Sequence, residues 1–158
     1  MLFRSSRVDV GGSTQSPALF LQENPAMLIH LLEAAKAQGG HPLIVLASTD
    51  RVYGLSPTED VDEETPPAPI EPYTASKMMC ETILQAYSRT EKFPYVILRL
   101  DCTYGPGQRT DMFIGDVMRK IQEQNNITVG SLSARKNFVY VDDVVDAFVR
   151  TLDAPEHA

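Results

Sequence analysis

The chain has 158 residues, of which 43% are hydrophobic and 22% are charged, and this length and composition suit one domain with a real core. Its 14 basic and 21 acidic residues give a net charge of -7, which argues against nonspecific binding to nucleic acid or to an anionic membrane. No apolar run approaches the roughly 20 residues that span a bilayer, and residues 1–7 lack the apolar core of a signal peptide. Cys80 and Cys102 have no paired spacing, so we expect a cytoplasmic protein with neither a disulfide framework nor a zinc site.

The first part of the chain predicts a poorly defined segment over residues 1–17, followed by a helix and a buried strand. Residues 7–10 are compatible with a short strand that the next two glycines end. Leucines and alanines at three- and four-residue spacings predict a helix over residues 18–39. Within it, Asn24-Pro25 is compatible with a cap and a first helical residue, or with a kink in a longer helix. Residues 43–47 form a continuous apolar run, typical of a strand buried on both faces of a parallel sheet.

A long loop separates this strand from the next helix. Residues 54–72 contain several prolines, which forbid regular structure, and an acidic cluster over residues 59–64. We expect a solvated loop here and no metal site. A helix then runs over residues 73–89 with an apolar stripe on one face, and residues 95–100 form a second buried strand.

The last part of the chain predicts a turn at residues 104–107, two helices and two brief strands. In chain order, these elements are a helix over residues 111–124, strands over residues 127–129 and 138–141, and a helix over residues 144–152 with Asp142 as its N-cap. Helices and strands thus alternate along the chain. This order predicts an α/β fold, a parallel sheet with flanking helices.

Three segments bring polar side chains toward one edge of the predicted sheet. Thr49 follows the first buried strand, Cys102 follows the second, and Tyr73 and Lys77 open the helix between them. In open α/β sheets, ligands bind beyond the carboxyl ends of the strands. We therefore expect a binding or catalytic site that combines these segments.

Tyr73 and Lys77 are four residues apart, so both side chains project from one face of the predicted helix. The pKa of a phenol lies near 10, roughly three units too high for a base at neutral pH, and a nearby ammonium lowers it. Tyr73 is therefore a candidate proton-transfer group with Lys77 as its electrostatic support. The alternative for this pair alone is one buried ring and one solvated amine.

Four stretches of the chain, in order, resemble the extended short-chain dehydrogenase/reductases, the NAD-dependent epimerase/dehydratase family that acts on nucleotide sugars. A fifth, weaker match is the helix that contains Asn24, where the alternative is a simple helix cap. Together the matches cover about residues 20 to 152. The four stretches are a Ser-Thr-Asp-Arg-Val-Tyr-Gly strand end (residues 48–54), the Tyr-x-x-Ser-Lys motif (73–77), a strand with a Tyr-Gly-Pro turn (98–107) and a Phe-x-x-Val segment (137–144).

The resemblance implies a partial Rossmann-like domain over residues 18–158 that binds NAD or NADP and a nucleotide-sugar substrate. Thr49 would hydrogen-bond the reacting sugar oxygen, and Tyr73 would remove or return its proton. Lys77 would hold the nicotinamide ribose and lower the pKa of Tyr73, with Ser48 also on the cofactor side. Asp50 would donate a proton to a leaving hydroxyl, as in the dehydratase subgroup.

Other family positions differ here. A dehydratase would have a glutamate where this chain has Arg51, which cannot accept a proton, so the resemblance favours epimerisation or carbonyl reduction. On the substrate side, Cys102 stands where an asparagine is usual. Lys136, with Arg135 beside it, stands at the phosphate-binding arginine, and Arg109 is a further candidate phosphate contact. A solvated surface role is the alternative for these basic side chains.

The family's Gly-x-x-Gly-x-x-Gly turn, which binds the cofactor pyrophosphate, is not found in this sequence. The chain therefore resembles the catalytic half of such an enzyme without most of the dinucleotide cradle. Two interpretations stay open, an NAD(P)-dependent enzyme or a truncated, non-catalytic homologue that acts as a structural or interaction subunit. In either case, the helix over residues 73–89 is a candidate homodimer surface, as in family dimers.

Overall fold

The computed structural model describes residues 2–3, 6–54, 61–123, 127–128, 130 and 136–153. By internal contacts, the chain divides into two compact units, Met1–Leu100 with Phe148–Ala158, and Asp101–Ala147. The predicted alternation of helices and strands is confirmed. In chain order, the elements are β1 (Leu2–Phe3), α1 (Val10–Gln15), α2 (Pro17–Ala37), β2 (Ile44–Thr49), a 3-10 helix (Asp50–Tyr53), α3 (Pro72–Glu91), β3 (Tyr95–Leu100), β4 (Cys102–Tyr104), α4 (Phe113–Glu123), β5 (Phe138–Tyr140) and α5 (Val141–Asp153).

The first unit contains a three-stranded sheet in the order β1-β2-β3, and both strand pairs are parallel. Thr49 pairs with Leu100 in the register of β2 and β3, so these two strands end at the same edge. Helices α2 and α3 pack against each other, and α3 also packs on β2 and β3. The predicted parallel sheet with flanking helices is therefore confirmed.

The core of the first unit lies between α2, α3 and the sheet. Every residue of β2 is buried, as the apolar run predicts. Strand β3, which the sequence predicts to be buried, is only half-buried along its length, because it is the last strand in the sheet order. The core residues are Leu28, Leu32, Ala35, Ile44, Leu46, Cys80, Leu84 and Phe93.

The second unit contains β4 and β5, which pair in parallel with Cys102 opposite Phe138 and Tyr104 opposite Tyr140. The Tyr104 ring meets both of the aromatic side chains on β5 edge-on. Strand β4 is not predicted from the sequence, because the turn signal that follows it obscures a three-residue strand. Large apolar side chains of this unit are exposed, among them Met112, Phe113, Met118, Ile121 and Val145.

Several predicted boundaries are wrong. Of the two alternatives for Asn24-Pro25, the helix start is wrong, because the pair lies inside the longer helix α2. Residues 7–9 form no strand, and α1 begins at Val10. Ile127 and Thr128 are not in a strand, while Val129 lies outside the described residues. Asp142 is in the first turn of α5 and is not its cap.

No helix among the described residues combines the length and the apolar character that crossing a membrane requires. Within the same residues, no three histidine, cysteine, aspartate or glutamate side chains are grouped as metal ligands.

Candidate active site

Helix α3 begins at Pro72, and its start places Tyr73 in the first turn. The backbone N–H of Glu71 donates to the Thr74 hydroxyl at 3.3 Å, and this hydroxyl donates back to the Glu71 carbonyl at 2.9 Å. Proline is favoured at the first helical position because its missing N–H has no partner there and its φ angle is already helical. Local sequence thus determines where the helix starts and which way Tyr73 faces.

The Tyr73 phenol lies beside the Thr49 side chain, near enough for the threonine hydroxyl to lower its pKa. Both residues are buried, with 8% and 6% of their surface exposed. Thr49 Oγ1 also donates to Asp50 Oδ1 at 3.1 Å and accepts from the Arg51 backbone N–H at 3.3 Å. The structure therefore brings Thr49, Asp50 and Tyr73 together, as the sequence predicts.

Lys77 lies one turn after Tyr73 on the same face of α3, and only 4% of it is exposed. Its Nζ donates to the Ala47 carbonyl at 2.9 Å and to the Ser6 hydroxyl at 2.8 Å. The alternative of a solvated amine is therefore wrong. The buried ammonium is held against the backbone of β2, next to the strand end that carries Thr49.

The pKa of Tyr73 is raised above its ordinary value, chiefly because burial disfavours the phenolate. The neighbouring Thr49 hydroxyl and the charge of Arg51 lower this pKa, whereas the charges of Asp50 and Glu71 raise it. The lowering of this pKa by Lys77 stays a prediction. Burial likewise lowers the pKa of Lys77 itself.

Ser48 lies on the other face of β2 from Thr49, as successive residues of a strand do. Its hydroxyl donates to the wholly buried Glu81 carboxylate of α3. Glu81 also pairs with Arg99 on β3, whose guanidinium donates to the Tyr53 phenol at 2.7 Å. The structure does not bring the Ser48 hydroxyl together with Tyr73.

This buried network is missed by sequence reasoning, although one signal pointed to it. Glu81 follows Lys77 by four residues, as Lys77 follows Tyr73, so the three share one helical face. That face packs on the sheet, and a charged side chain there needs a partner in the interior. The partner is Arg99 on β3, which pairs with Ser48 in the register of β2 and β3, so that both side chains reach Glu81.

Asn24 is wholly buried in the middle of α2. Its Nδ2 donates to the Ser76 hydroxyl at 2.9 Å and to the Arg7 carbonyl at 3.2 Å, while its Oδ1 accepts from the Arg7 backbone N–H at 2.8 Å. Ser76 in turn donates to the Tyr73 carbonyl at 2.7 Å. Asn24 is therefore not a helix cap, and it ties α2 to the first turns of α3.

Apart from Thr49, the predicted substrate-side residues lie in the second unit. Cys102 is half-buried in β4, and its backbone N–H donates to Asp101 Oδ1 at 2.7 Å. Arg109 is exposed and pairs with Asp111, and Lys136 is exposed. Arg135 lies outside the described residues. Their contacts with substrate stay predictions.

Lys77 suits the ribose end of a nicotinamide dinucleotide. An ammonium has three N–H donors, and the structure shows hydrogen bonds from Lys77 Nζ to two protein oxygens. Gly11 and Gly12 do not suit the pyrophosphate end, since they lie inside α1 and a Cβ on Gly12 would lie 2.5 Å from Asp9 Oδ2.

Comparison with known proteins identifies what this arrangement is similar to. A sequence model described as the NAD dependent epimerase/dehydratase family matches residues 5–158. The chain is 37% identical over 128 residues to dTDP-D-glucose 4,6-dehydratase of Mus musculus, an alignment that covers 80% of this chain and 36% of that protein. It is 31% identical over 157 residues to UDP-glucuronate 4-epimerase 1 of Arabidopsis thaliana, covering 95% of this chain and 36% of that protein.

Solved structures agree with the sequence comparison. The structure of RMD from Pseudomonas aeruginosa complexed with NADPH has a TM-score of 0.90 at 29% identity, covering 96% of this chain and 55% of that one. DesIV, a dTDP-glucose 4,6-dehydratase from Streptomyces venezuelae with NAD and TYD bound, has a TM-score of 0.85 at 26% identity, covering 96% of this chain and 47% of that one. The chain thus spans about a third to a half of the length of these relatives, and the predicted fold class is confirmed.

Proposed function

The chain belongs to the NAD-dependent epimerase/dehydratase family, and on that premise we propose that it serves an oxidoreductase that acts on a nucleotide sugar through Thr49, Tyr73 and Lys77. The observation that carries the proposal is that the buried Tyr73 phenol and the buried Thr49 side chain lie next to each other at the end of β2. A buried lysine one turn along the same helix completes the arrangement.

Each residue has a role that its surroundings support. Thr49 hydrogen-bonds the sugar oxygen whose carbon is oxidised or reduced. Tyr73 takes the proton from that oxygen during oxidation and returns it during reduction. Lys77 holds the ribose of NAD or NADP, which when bound accepts or donates the hydride at the sugar carbon. Asp50, which accepts a hydrogen bond from Thr49, stands where it can give a proton to a leaving hydroxyl.

The raised pKa of Tyr73 bears on the direction of the reaction. Burial keeps the phenol protonated, which suits it to give a proton to a carbonyl oxygen that is being reduced. In the oxidative direction, the phenol must first lose its proton, so a positive charge brought by the oxidised cofactor assists that direction. We propose that Tyr73 transfers its proton in both the oxidative and the reductive direction if the enzyme is an epimerase, and in the reductive direction if it is a reductase.

Arg51 supports epimerisation or carbonyl reduction in place of dehydration. Removal of water from a sugar needs a group that abstracts a second proton, and a guanidinium cannot accept one. The Arg51 guanidinium also forms two hydrogen bonds with Glu71, at 2.9 and 3.0 Å, so the Glu71 carboxylate is already paired. Cys102, Arg109, Arg135 and Lys136 are proposed to contact the nucleotide sugar.

We propose further that the protein is cytoplasmic, since neither Cys80 nor Cys102 is in a disulfide. Two copies would pair through α3, where Met79 exposes 41% of its surface. Sedimentation velocity of the wild type and of Met79→Lys tests this pairing. A dimer that persists unchanged in the variant would place the interface elsewhere.

Cofactor binding and turnover test the proposed function. The chain is titrated with NADH and NADPH to millimolar concentration while nicotinamide fluorescence and the melting temperature are followed. Tyr73→Phe is expected to abolish turnover of UDP- or dTDP-sugars while the fold is retained. Tyr87→Phe is the matched control, because it removes a phenol from α3 that bonds Glu33 and not Thr49. A Tyr73→Phe variant with the wild-type rate would refute the proton-transfer role.

The second candidate is a non-catalytic subunit, and the exposed apolar side chains of α4 and α5 favour it. Phe113, Met118 and Ile121 on α4 and Val145 and Leu152 on α5 expose between 53% and 60% of their surface, and such surfaces mark interaction sites. No response to millimolar NADH or NADPH would support this candidate for the chain alone.

A further inference from the structure

We propose that Arg51 is a positioning residue of the Thr49–Tyr73 pair, which it orients from one side and supplies with a fixed positive charge. The inference deepens the proposed function and rests on it. Arg51 lies in the 3-10 helix directly after β2. The proposed function gives roles in the reaction to its neighbours Thr49 and Asp50.

Arg51 makes contacts in two directions. Its backbone N–H donates to Thr49 Oγ1 at 3.3 Å, which restrains the hydroxyl that meets the Tyr73 phenol. Its guanidinium donates two hydrogen bonds to Glu71, the residue at the N-cap of α3. Nε and Nη2 each lie within 3.0 Å of a carboxylate oxygen. A two-point contact of this kind fixes direction as well as distance. One residue therefore joins the end of β2 to the start of the helix that carries Tyr73.

The ion pair is sheltered on its acidic side. The Glu71 side chain exposes 12% of its surface, and that of Arg51 exposes 38%. A pair with one nearly buried partner is screened less by salt than a surface pair. The guanidinium charge is thus held in one place beside the start of α3.

Three charged neighbours are among the groups that act on the Tyr73 phenol. Asp50 in the 3-10 helix and Glu71 before α3 are negative and raise its pKa, while Arg51 is positive and lowers it. Lys77 lies on the same face of α3 as Tyr73, one turn further along the helix. Without Arg51, the phenol would face two carboxylates with no opposing cation from the 3-10 helix, and loss of its proton would be harder.

Two substitutions separate the charge from the geometry. Arg51→Gln removes the charge and keeps a side chain that can donate to Glu71. Arg51→Lys keeps the charge and loses the two-point contact. Arg89→Gln is the control, since it removes an exposed cation from the far end of α3.

The test is the titration of Tyr73 observed directly, in the full chain labelled with 13C at the tyrosine Cζ. The Tyr73 signal is assigned by its loss in Tyr73→Phe, and circular dichroism at each pH verifies the fold. We expect Arg51→Gln to move the Tyr73 midpoint upward, Arg51→Lys to move it less, and Arg89→Gln to leave it in place. An unchanged Tyr73 midpoint in Arg51→Gln would overturn the proposal. Equal shifts of the midpoint in Arg51→Lys and Arg51→Gln would overturn the part of it that assigns the effect to charge.

A second variant keeps the test decisive if Arg51→Gln does not fold. Glu71→Gln removes a negative charge that faces the phenol, so the Tyr73 midpoint is expected to move downward. A midpoint that stays or rises would contradict the electrostatic argument.

The titration needs neither cofactor nor turnover, so the two proposals fail separately. A shifted midpoint in a chain without turnover would keep the role of Arg51 and reject the enzyme. If the chain is an active enzyme, the alkaline limb of the pH–rate profile of Arg51→Gln is expected to move in the same direction as the Tyr73 midpoint. An unchanged pH–rate profile in an active Arg51→Gln variant would reject the role of Arg51 and leave the enzyme function standing.

Discussion

The Glu81 carboxylate on α3 faces the Arg99 guanidinium on β3, with 2.8 Å between Oε2 and Nη2. Glu81 is wholly buried, and 19% of the Arg99 side chain is exposed. Because Ser48 donates to the same carboxylate, one acidic group joins α3 to both β2 and β3. This junction lies one turn beyond Lys77 on the face of α3 that carries Tyr73. It therefore fixes that face of the helix against the sheet next to the candidate active site.

We predict that Glu81→Gln destabilises the protein by roughly 3–5 kcal/mol, since it leaves the Arg99 charge without its buried partner. Urea denaturation at neutral pH measures the effect. Glu63→Gln is the control, because Glu63 is exposed in the loop before α3, and its effect is expected to stay within about 0.5 kcal/mol. Equal midpoints for the two variants would contradict the prediction.

We predict that Asn24→Ala costs about 1–3 kcal/mol, because the buried Ser76 hydroxyl and the Arg7 backbone lose their hydrogen-bond partner. The free energy of unfolding is compared with that of Gln22→Ala, an exposed amide on the same helix. Asn24→Ala that is as stable as the control would show that the buried amide does not secure α2 to α3.

Gly54 ends the 3-10 helix at a φ of 70°, and a Cβ there would lie 2.1 Å from the Ala68 carbonyl oxygen. Gly39 has a φ of 69° with nothing within 4 Å of its Cβ position. We predict that Gly39→Ala costs about 1–2 kcal/mol for the backbone conformation alone, and that Gly54→Ala costs more because the loop must move. Urea midpoints of the two variants measure the difference, and a smaller cost at Gly54 would contradict the steric argument.

Lys77 predicts a dependence of stability on pH. The pKa of Lys77 is lowered in the folded chain, first by burial. Between this folded pKa and the unfolded pKa of about 10.4, the unfolded state binds more protons than the folded state. The free energy of unfolding therefore rises with pH over that window. The wild type is therefore expected to gain stability relative to Lys77→Met as the pH rises from about 7 to 10.

Lys36→Met is the control for this series. The pKa of Lys36 is raised, first by its hydrogen bond with Glu91, so its contribution is complete below the unfolded pKa and stays constant over the same range. Unfolding free energies from urea titrations at each pH provide both differences. A flat difference for Lys77→Met would mean that burial does not penalise the ammonium.

Part of the candidate site could be predicted from residues alone. The four-residue spacing of Tyr73 and Lys77 places them on one helical face, and the apolar run before Thr49 places that threonine at a strand end. The partners of these side chains could not be predicted in this way. Lys77 bonds Ser6, which precedes it by 71 residues, and no periodicity in the sequence relates two positions so far apart.

The sequence is sufficient for the alternation of helices and strands, the parallel sheet and the family, because each depends on short-range patterns of apolar residues, turn residues and motifs. Only the tertiary structure decides which charges are buried, which groups act on Tyr73 and which partner Glu81 takes. The physical reason is that a pKa and a buried ion pair depend on desolvation and on distances between separate elements. These quantities exist only once α3 is packed on the sheet.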